Sequence, residues 1–224
     1  MSGLARTRPL METAHPEGRS AMSTSPITRW AGPISLAAAA LILTSQLLTE
    51  ALHLTHRDDA ATTLKYALAL LAQYVLLLAL TGLYTRQATA VGTLGLVGYL
   101  VAFLGTLLVA GDWWYEAFVG PGIAIHAPQL ADMPYDGSLV AGAIATIGSF
   151  SLGWILFGIA TLRGHLLPAA PAILVIIGGA VGALVLWTPY QIPLAIAVGW
   201  MGYHLVNAVP HDQHDAPVPA PANP

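Results

Sequence analysis

LKYALALLAQYVLLLALTGLYT, residues 64–85, is followed after the five-residue link RQATA by VGTLGLVGYLVAFLGTLLVAG, residues 91–111. Each run is close to the ~20 residues an α-helix needs to cross ~30 Å of hydrocarbon. Lys65 is the only charge within the two runs, and Arg86 in the link is the next. The rest of the chain repeats the pattern, with apolar segments at 31–50, 139–162, 166–187 and 192–209.

Composition agrees with this reading. Apolar residues make up 56% of the chain and charged residues 8%, where a soluble domain carries about a quarter charged. So few charges cannot solvate the surface of a 224-residue globule. The expected fold is all-α: a polytopic membrane protein with a six-helix transmembrane bundle over 30–209. The links RGH (163–165) and TPYQ (188–191) are as short as RQATA, which makes sequential helices antiparallel neighbours. Pro168, Pro171 and Pro193 fall in expected first turns, where a missing N–H costs little.

Arg and Lys set the orientation. With a cytoplasmic N-terminus, Arg6, Arg8, Arg19, Arg29, Arg86 and Arg163 lie inside, against Arg57 and Lys65 outside. Both termini are then cytoplasmic. Scarce lysine with abundant Ala, Gly and Pro suggests a bacterial genome, and so a bacterial inner membrane. Residues 1–29 read as a disordered cytoplasmic tail, with Met22 as an alternative start, and 210–224 as a disordered Pro-rich tail. The net charge of −3, with no basic patch, argues against a nucleic-acid partner. The absence of Cys removes thiolate chemistry and Cys-based metal sites.

The same topology places seven of the eleven acids on the outer side: Glu50, Asp58, Asp59, Asp112, Glu116, Asp132 and Asp136. Glu50 and His53 are one helical turn apart, and Asp112 and Glu116 share a face at i and i+4. Glu50, Asp112 and Glu116 are the candidate acid–base groups. A single metal ion held by Glu50 and His53, with Asp112, Glu116 and His126 nearby, is chemically reasonable. No other cofactor is expected. The plainer reading is that these are the solvated ends of membrane helices, and both readings stay open. The outer segment 112–138 holds a Gly-Pro-Gly break and no Lys or Arg. One reading lays it on the membrane surface as a small lid, with Phe118, Ile123 and Ile125 facing inward; the plainer reading is an interfacial linker between the third and fourth apolar segments, and both stay open. Polar residues inside the helices are few, among them Gln46, Gln73, Ser151 and His204. The patterns Ser149-x-x-x-Gly153 and Gly178-x-x-x-Gly182 read as close helix packing, within the chain or between copies in a homo-oligomer.

The run DWWYEAFVGPGIAIHAPQLAD (112–132), with FSLGWILFGIATLRGHLLPAAPAIL (150–174), resembles small multi-pass membrane proteins of bacteria, of actinobacterial type. The likeness extends over about half of the chain. It implies the membrane class and a structured outer segment, and it assigns no activity and no catalytic residue.

The function expected from these residues is non-enzymatic: binding or transport of an apolar small molecule or cation in contact with membrane lipid, or assembly with a membrane partner. The alternative is an integral-membrane enzyme acting by acid catalysis on an isoprenoid-like substrate. In it Glu50 or Asp112 would be the acid, and Trp113, Trp114 and Trp187 would stabilise cationic charge. The ligand-binding candidates are therefore Trp113, Trp114, Trp187 and His126.

Overall fold

The structure is a computed structural model and describes residues 26–52, 60–130, 136–182 and 190–207, with the side chains of the first helix described over 29–48. The tails expected at 1–29 and 210–224 lie outside these residues, except 26–29, which are helical. So do His53, Asp58, Asp59, Asp132 and Trp187, as does the side chain of Glu50.

Among the described residues the chain is all-helical, with no strand. The helices are α1 (Pro26–Leu52), α2 (Ala60–Phe118), α3 (Gly120–His126), α4 (Gly137–Gly164), α5 (Ala169–Gly182) and α6 (Ile192–Asn207), with a 3₁₀ turn at Pro128–Leu130. Among the described residues, three helical stretches are long and apolar enough to cross a membrane: Arg29–Leu48, Ala60–His126 and Gly137–Gly164. α5 and α6 are apolar but shorter, at 14 and 16 residues.

α2 is continuous except at one residue. Gly92 has φ 56° and ψ −151°, a conformation essentially restricted to glycine. The chain reverses there, and the arms 60–91 and 93–118 lie antiparallel. Rings pair across the reversal: Tyr84 stacks on Tyr99 at 4.5 Å and Tyr66 on Trp113 at 5.6 Å. The hydroxyls of Thr81 and Tyr99 meet at 3.3 Å. This corrects the expected link. RQATA is helical, because Arg, Gln and Ala are good helix formers and nothing in the run forces a break. The reversal waits for the first residue that can adopt it. The second arm also runs past Gly111 to Phe118, since an isolated glycine in a helix costs only about 1 kcal/mol.

Other boundaries move for equally local reasons. α1 begins at Pro26 rather than residue 31 and carries Pro33 inside it. α4 ends at Gly164, with His165 in the left-handed region at φ 53° as its C-terminal cap. α5 begins after Pro168, so only Pro171 and Pro193 occupy the first turns expected of them.

The helices form a closed ring in which α1 packs on α2, α2 on α4, α4 on α5, α5 on α6, and α6 back on α1. Small residues let the backbones approach, as expected where helices associate by packing and hydrogen bonds rather than by hydrophobic drive. A Cβ on Gly98 would stand 2.7 Å from the backbone nitrogen of Phe157, and one on Gly202 2.8 Å from the carbonyl oxygen of Gly32. Gly153 sits directly against the backbone of Ala102, and a Cβ on Gly178 would come within 2.8 Å of the Leu194 nitrogen. Two of the small residues flagged in the sequence, Gly153 and Gly178, thus pack within the chain.

The core is centred on Phe150, Trp154 and Phe157 of α4, buried with Leu76, Leu80 and Leu83 of α2 and Leu194 and Met201 of α6. Side-chain hydrogen bonds pin the ring. Trp154 Nε1 donates to Thr106 Oγ1 at 3.2 Å, and Gln87 Nε2 to Thr161 Oγ1 at 2.9 Å. Bonds of this kind inside membrane bundles contribute about 0.6 kcal/mol each on average.

Candidate functional site

A cavity of about 470 Å³ opens at the end of the ring where α2 finishes and α4 starts. That volume is typical of sites for small organic ligands. The second arm of α2 supplies Leu108, Val109 and Asp112, which share one face by their spacing. α4 supplies Leu139, Ala143, Ile147 and Phe150, a stripe at helical period, with Ser138 and Thr146 beside it. Gly182, the last described residue of α5, and Tyr190 in the link to α6 complete the wall.

Small side chains create the space. Gly142 also lines the cavity, and a Cβ built on it meets no atom within 4 Å. The first turns of α4 are exposed, with Leu139 48% and Ile144 67% accessible. That part of α4 stands clear of the packed ring, so one wall of the cavity is only partly backed by protein.

The polar groups differ in setting. Asp112 is exposed, at the mouth. Tyr190 is buried and belongs to a chain of buried side chains that reaches across the bundle. Gln73, in the first arm of α2, donates from Nε2 to Gln191 Oε1 at 2.9 Å. Gln191 in turn donates from Nε2 to Tyr190 Oη at 3.1 Å. Gln73 and Gln191 are 1% and 2% exposed, so this polar chain is shut away from solvent and lipid. Burial pushes the Tyr190 phenol well above its ordinary pKa, the negative charge of Asp112 adds to the rise, and the hydrogen bond from Gln191 opposes it. The phenol is therefore neutral at any physiological pH.

The residues expected from sequence divide sharply. Of the three acids, only Asp112 lines the cavity. Glu116 is half-buried one turn further on, with Oε2 close under Gly120 of α3. Lys65 is buried and lies over the Tyr66 ring at 3.9 Å. The stack of Tyr66 on Trp113 brings Lys65 to the same end of the hairpin as Asp112 and Glu116. Trp113 faces the hairpin through that stack, and Trp114 is 50% exposed beside Phe118. Neither lines the cavity. Its aromatic walls are Phe150 and Tyr190 instead. His126 is exposed at the end of α3. Among the described residues, no group of three His, Asp or Glu side chains is placed to hold a metal ion. The pairing of Glu50 with His53 lies outside them.

The inward-facing lid needs correction. α3 packs on the end of α2, continuing its direction through hydrogen bonds such as Val119 N to Tyr115 O at 2.9 Å. Phe118 and Ile125 are 58% and 60% exposed, and none of Phe118, Ile123 and Ile125 lines the cavity. A helical turn that extends α2 carries its apolar side chains outward rather than over the ring. His204, singled out in the sequence as a polar residue within the last helix, accepts a hydrogen bond at Nε2 from Trp200 Nε1 at 2.9 Å. It is occupied with its own helix.

Tyr190 and Gln191 were visible in the sequence only as residues of the link TPYQ. What identifies them is their meeting with Gln73, 118 positions away. The one signal in the sequence was Gln73 itself, an uncharged polar residue in the middle of an apolar run. Comparison with protein-family models, curated proteins and solved structures yields no match to this chain.

Proposed function

We propose that this is a multi-pass membrane protein that binds an apolar small molecule drawn from the lipid, with no chemical conversion. The observation that carries this reading is the cavity between α2 and α4: apolar walls, a few converging polar groups, and one side formed by the exposed start of α4. Six crossings account for the hairpin of α2 and the short α5 and α6, and they put the cavity at the extracytoplasmic end of a bacterial inner-membrane bundle with both termini inside. The resemblance to small bacterial multi-pass proteins fits this reading.

Gly142→Phe tests it. The new ring enters open space, so the variant is expected to fold and to lose saturable binding of a lipid-soluble probe such as dodecanol. Undiminished binding by a folded variant would place the ligand elsewhere.

A second reading, acid catalysis on a lipid-dissolved polyene, is favoured by one observation: Asp112 stands at an apolar cavity with Phe150 and Tyr190 in its wall. Under it, incubation with a prenyl alcohol gives an isomerised or cyclised product that Asp112→Asn abolishes. An unchanged substrate leaves the binding reading.

A further inference from the structure

We infer that α4 bends at Gly148 and Ser149, so that its first three turns swing toward α2 to close the cavity and are held out by a guest. This rests on the proposed binding role and specifies how the site opens. The first argument is that the cavity continues the seam between α2 and α4. Along that seam Gly98 lies against the backbone of Phe157, Gly153 against that of Ala102, and Gly105 against that of Phe150. Continuing the same two faces come Leu108, Val109 and Asp112 of α2 and Thr146, Ala143 and Leu139 of α4, which line the cavity. The two helices thus touch at backbone distance as far as Gly105 and Phe150 and stand apart beyond them.

The second argument is how lightly this part of α4 is held. Phe150 is its first buried residue, and the approaches of Ser151, Ile155 and Gly158 to α5 also lie on the far side of that point. A Cβ on Gly142 or Gly148 meets no atom within 4 Å, so neither glycine serves a close approach. The third argument is the backbone at the fulcrum. Gly–Ser pairs are recurrent sites of helix kinks. Here the Ser149 hydroxyl bonds back to the carbonyl oxygen of Ala145 at 2.6 Å and to that of Thr146 at 3.2 Å, a competition with the helix's own ladder that bends helices. The pair stands just before the packed part of α4 begins, so a bend there moves the turns before it and leaves the core undisturbed. Gly142 and Ala143 on the cavity side are small enough to let α4 close on α2, as small residues do between helices in lipid. A guest filling the wedge replaces that packing.

The test measures two distances by spin labels on pairs of introduced cysteines, in the full-length protein in lipid nanodiscs. Val140→Cys with Leu107→Cys spans the cavity, and Leu152→Cys with Leu100→Cys spans the packed seam. All four native side chains are exposed, so the labels displace no core residue. Saturating dodecanol is expected to lengthen the cavity distance by about 4 Å, the travel of a point about 12 Å from the hinge through about 20°. The seam distance should not change. Before dodecanol is added, the cavity distance should be more broadly distributed than the seam distance. Gly148→Ala, whose Cβ enters open space, favours the unbroken helix and should narrow that distribution and shrink the shift. The response with Gly148 in place needs no hinge variant, so a misfolded Gly148→Ala does not remove the test. Saturable dodecanol binding with the cavity distance unmoved overturns the hinge while the cavity reading stands. Absence of saturable binding overturns the cavity reading, and the hinge is then decided by the protein alone: a cavity distribution as narrow as that of the seam overturns it too.

Discussion

At the scale of single residues, Tyr190 matters most, because its state follows from burial. A phenol in water ionises near pH ~10. Burial and the nearby Asp112 raise this one, so the folded chain holds the Tyr190 proton where the unfolded chain has released it. The sign follows directly. The contribution of the neutral phenol to stability is complete below pH ~10 and declines as pH rises above it, toward the raised folded value. Spectrophotometric titration of the folded protein should show Tyr190 silent through the ordinary tyrosine range. Tyr190→Phe should then remove no absorbance change there. If the variant loses one tyrosine's worth of signal near pH ~10, the phenol is not buried as described. Asp112 was legible in the sequence as an acid at a helix end. That it shares a cavity with Tyr190 was not, because a link residue carries no mark of the wall it will join.

At the scale of elements, glycine has two separate uses, which predict different outcomes for substitution. Gly92 supplies a backbone conformation, and a Cβ there meets nothing within 4 Å. Gly92→Val should therefore cost about 1–3 kcal/mol through backbone strain alone, with the helix ring still assembled. Gly153 supplies proximity, lying against the Ala102 backbone. Gly153→Leu must push α2 and α4 apart, open the packing around Trp154, and cost about 1–3 kcal/mol or more. Thermal unfolding in detergent measures both. A Gly153→Leu variant as stable as the unmodified protein would deny the close α2–α4 contact. Hydropathy made these helices legible, because an apolar run has one economical fate in lipid. The turn between them was misplaced at RQATA, since polarity was taken for a break when only backbone conformation makes one. Gly92 was hidden by the other glycines of GTLGLVG, which sit in the helix without bending it.

At the scale of the whole molecule, the ring order and the cavity belong together. α4 closes the ring through its second half, from Phe150 onward, while its first turns stand exposed beside the end of α2. The same helix is thus both a core element and a cavity wall. The all-helical class and the long apolar helices were legible because they depend on composition and run length. The cavity was not, because it depends on where packing is absent, and no residue type encodes that. Six crossings predict that Gln129→Cys, in the 3₁₀ turn, reacts with a membrane-impermeant maleimide on intact cells, while Arg163→Cys reacts only after permeabilisation. Equal reaction of both on intact cells would contradict the topology. The chain has no cysteine of its own, so a single introduced thiol reports without background. That makes Gly142→Cys the most direct probe of the cavity as a site filled from the lipid. Its labelling in membranes should be much faster with an alkyl maleimide than with a charged one, and dodecanol should protect it. Labelling equally fast with the charged reagent, with no protection by dodecanol, would show a water-filled surface cleft and contradict the proposed function.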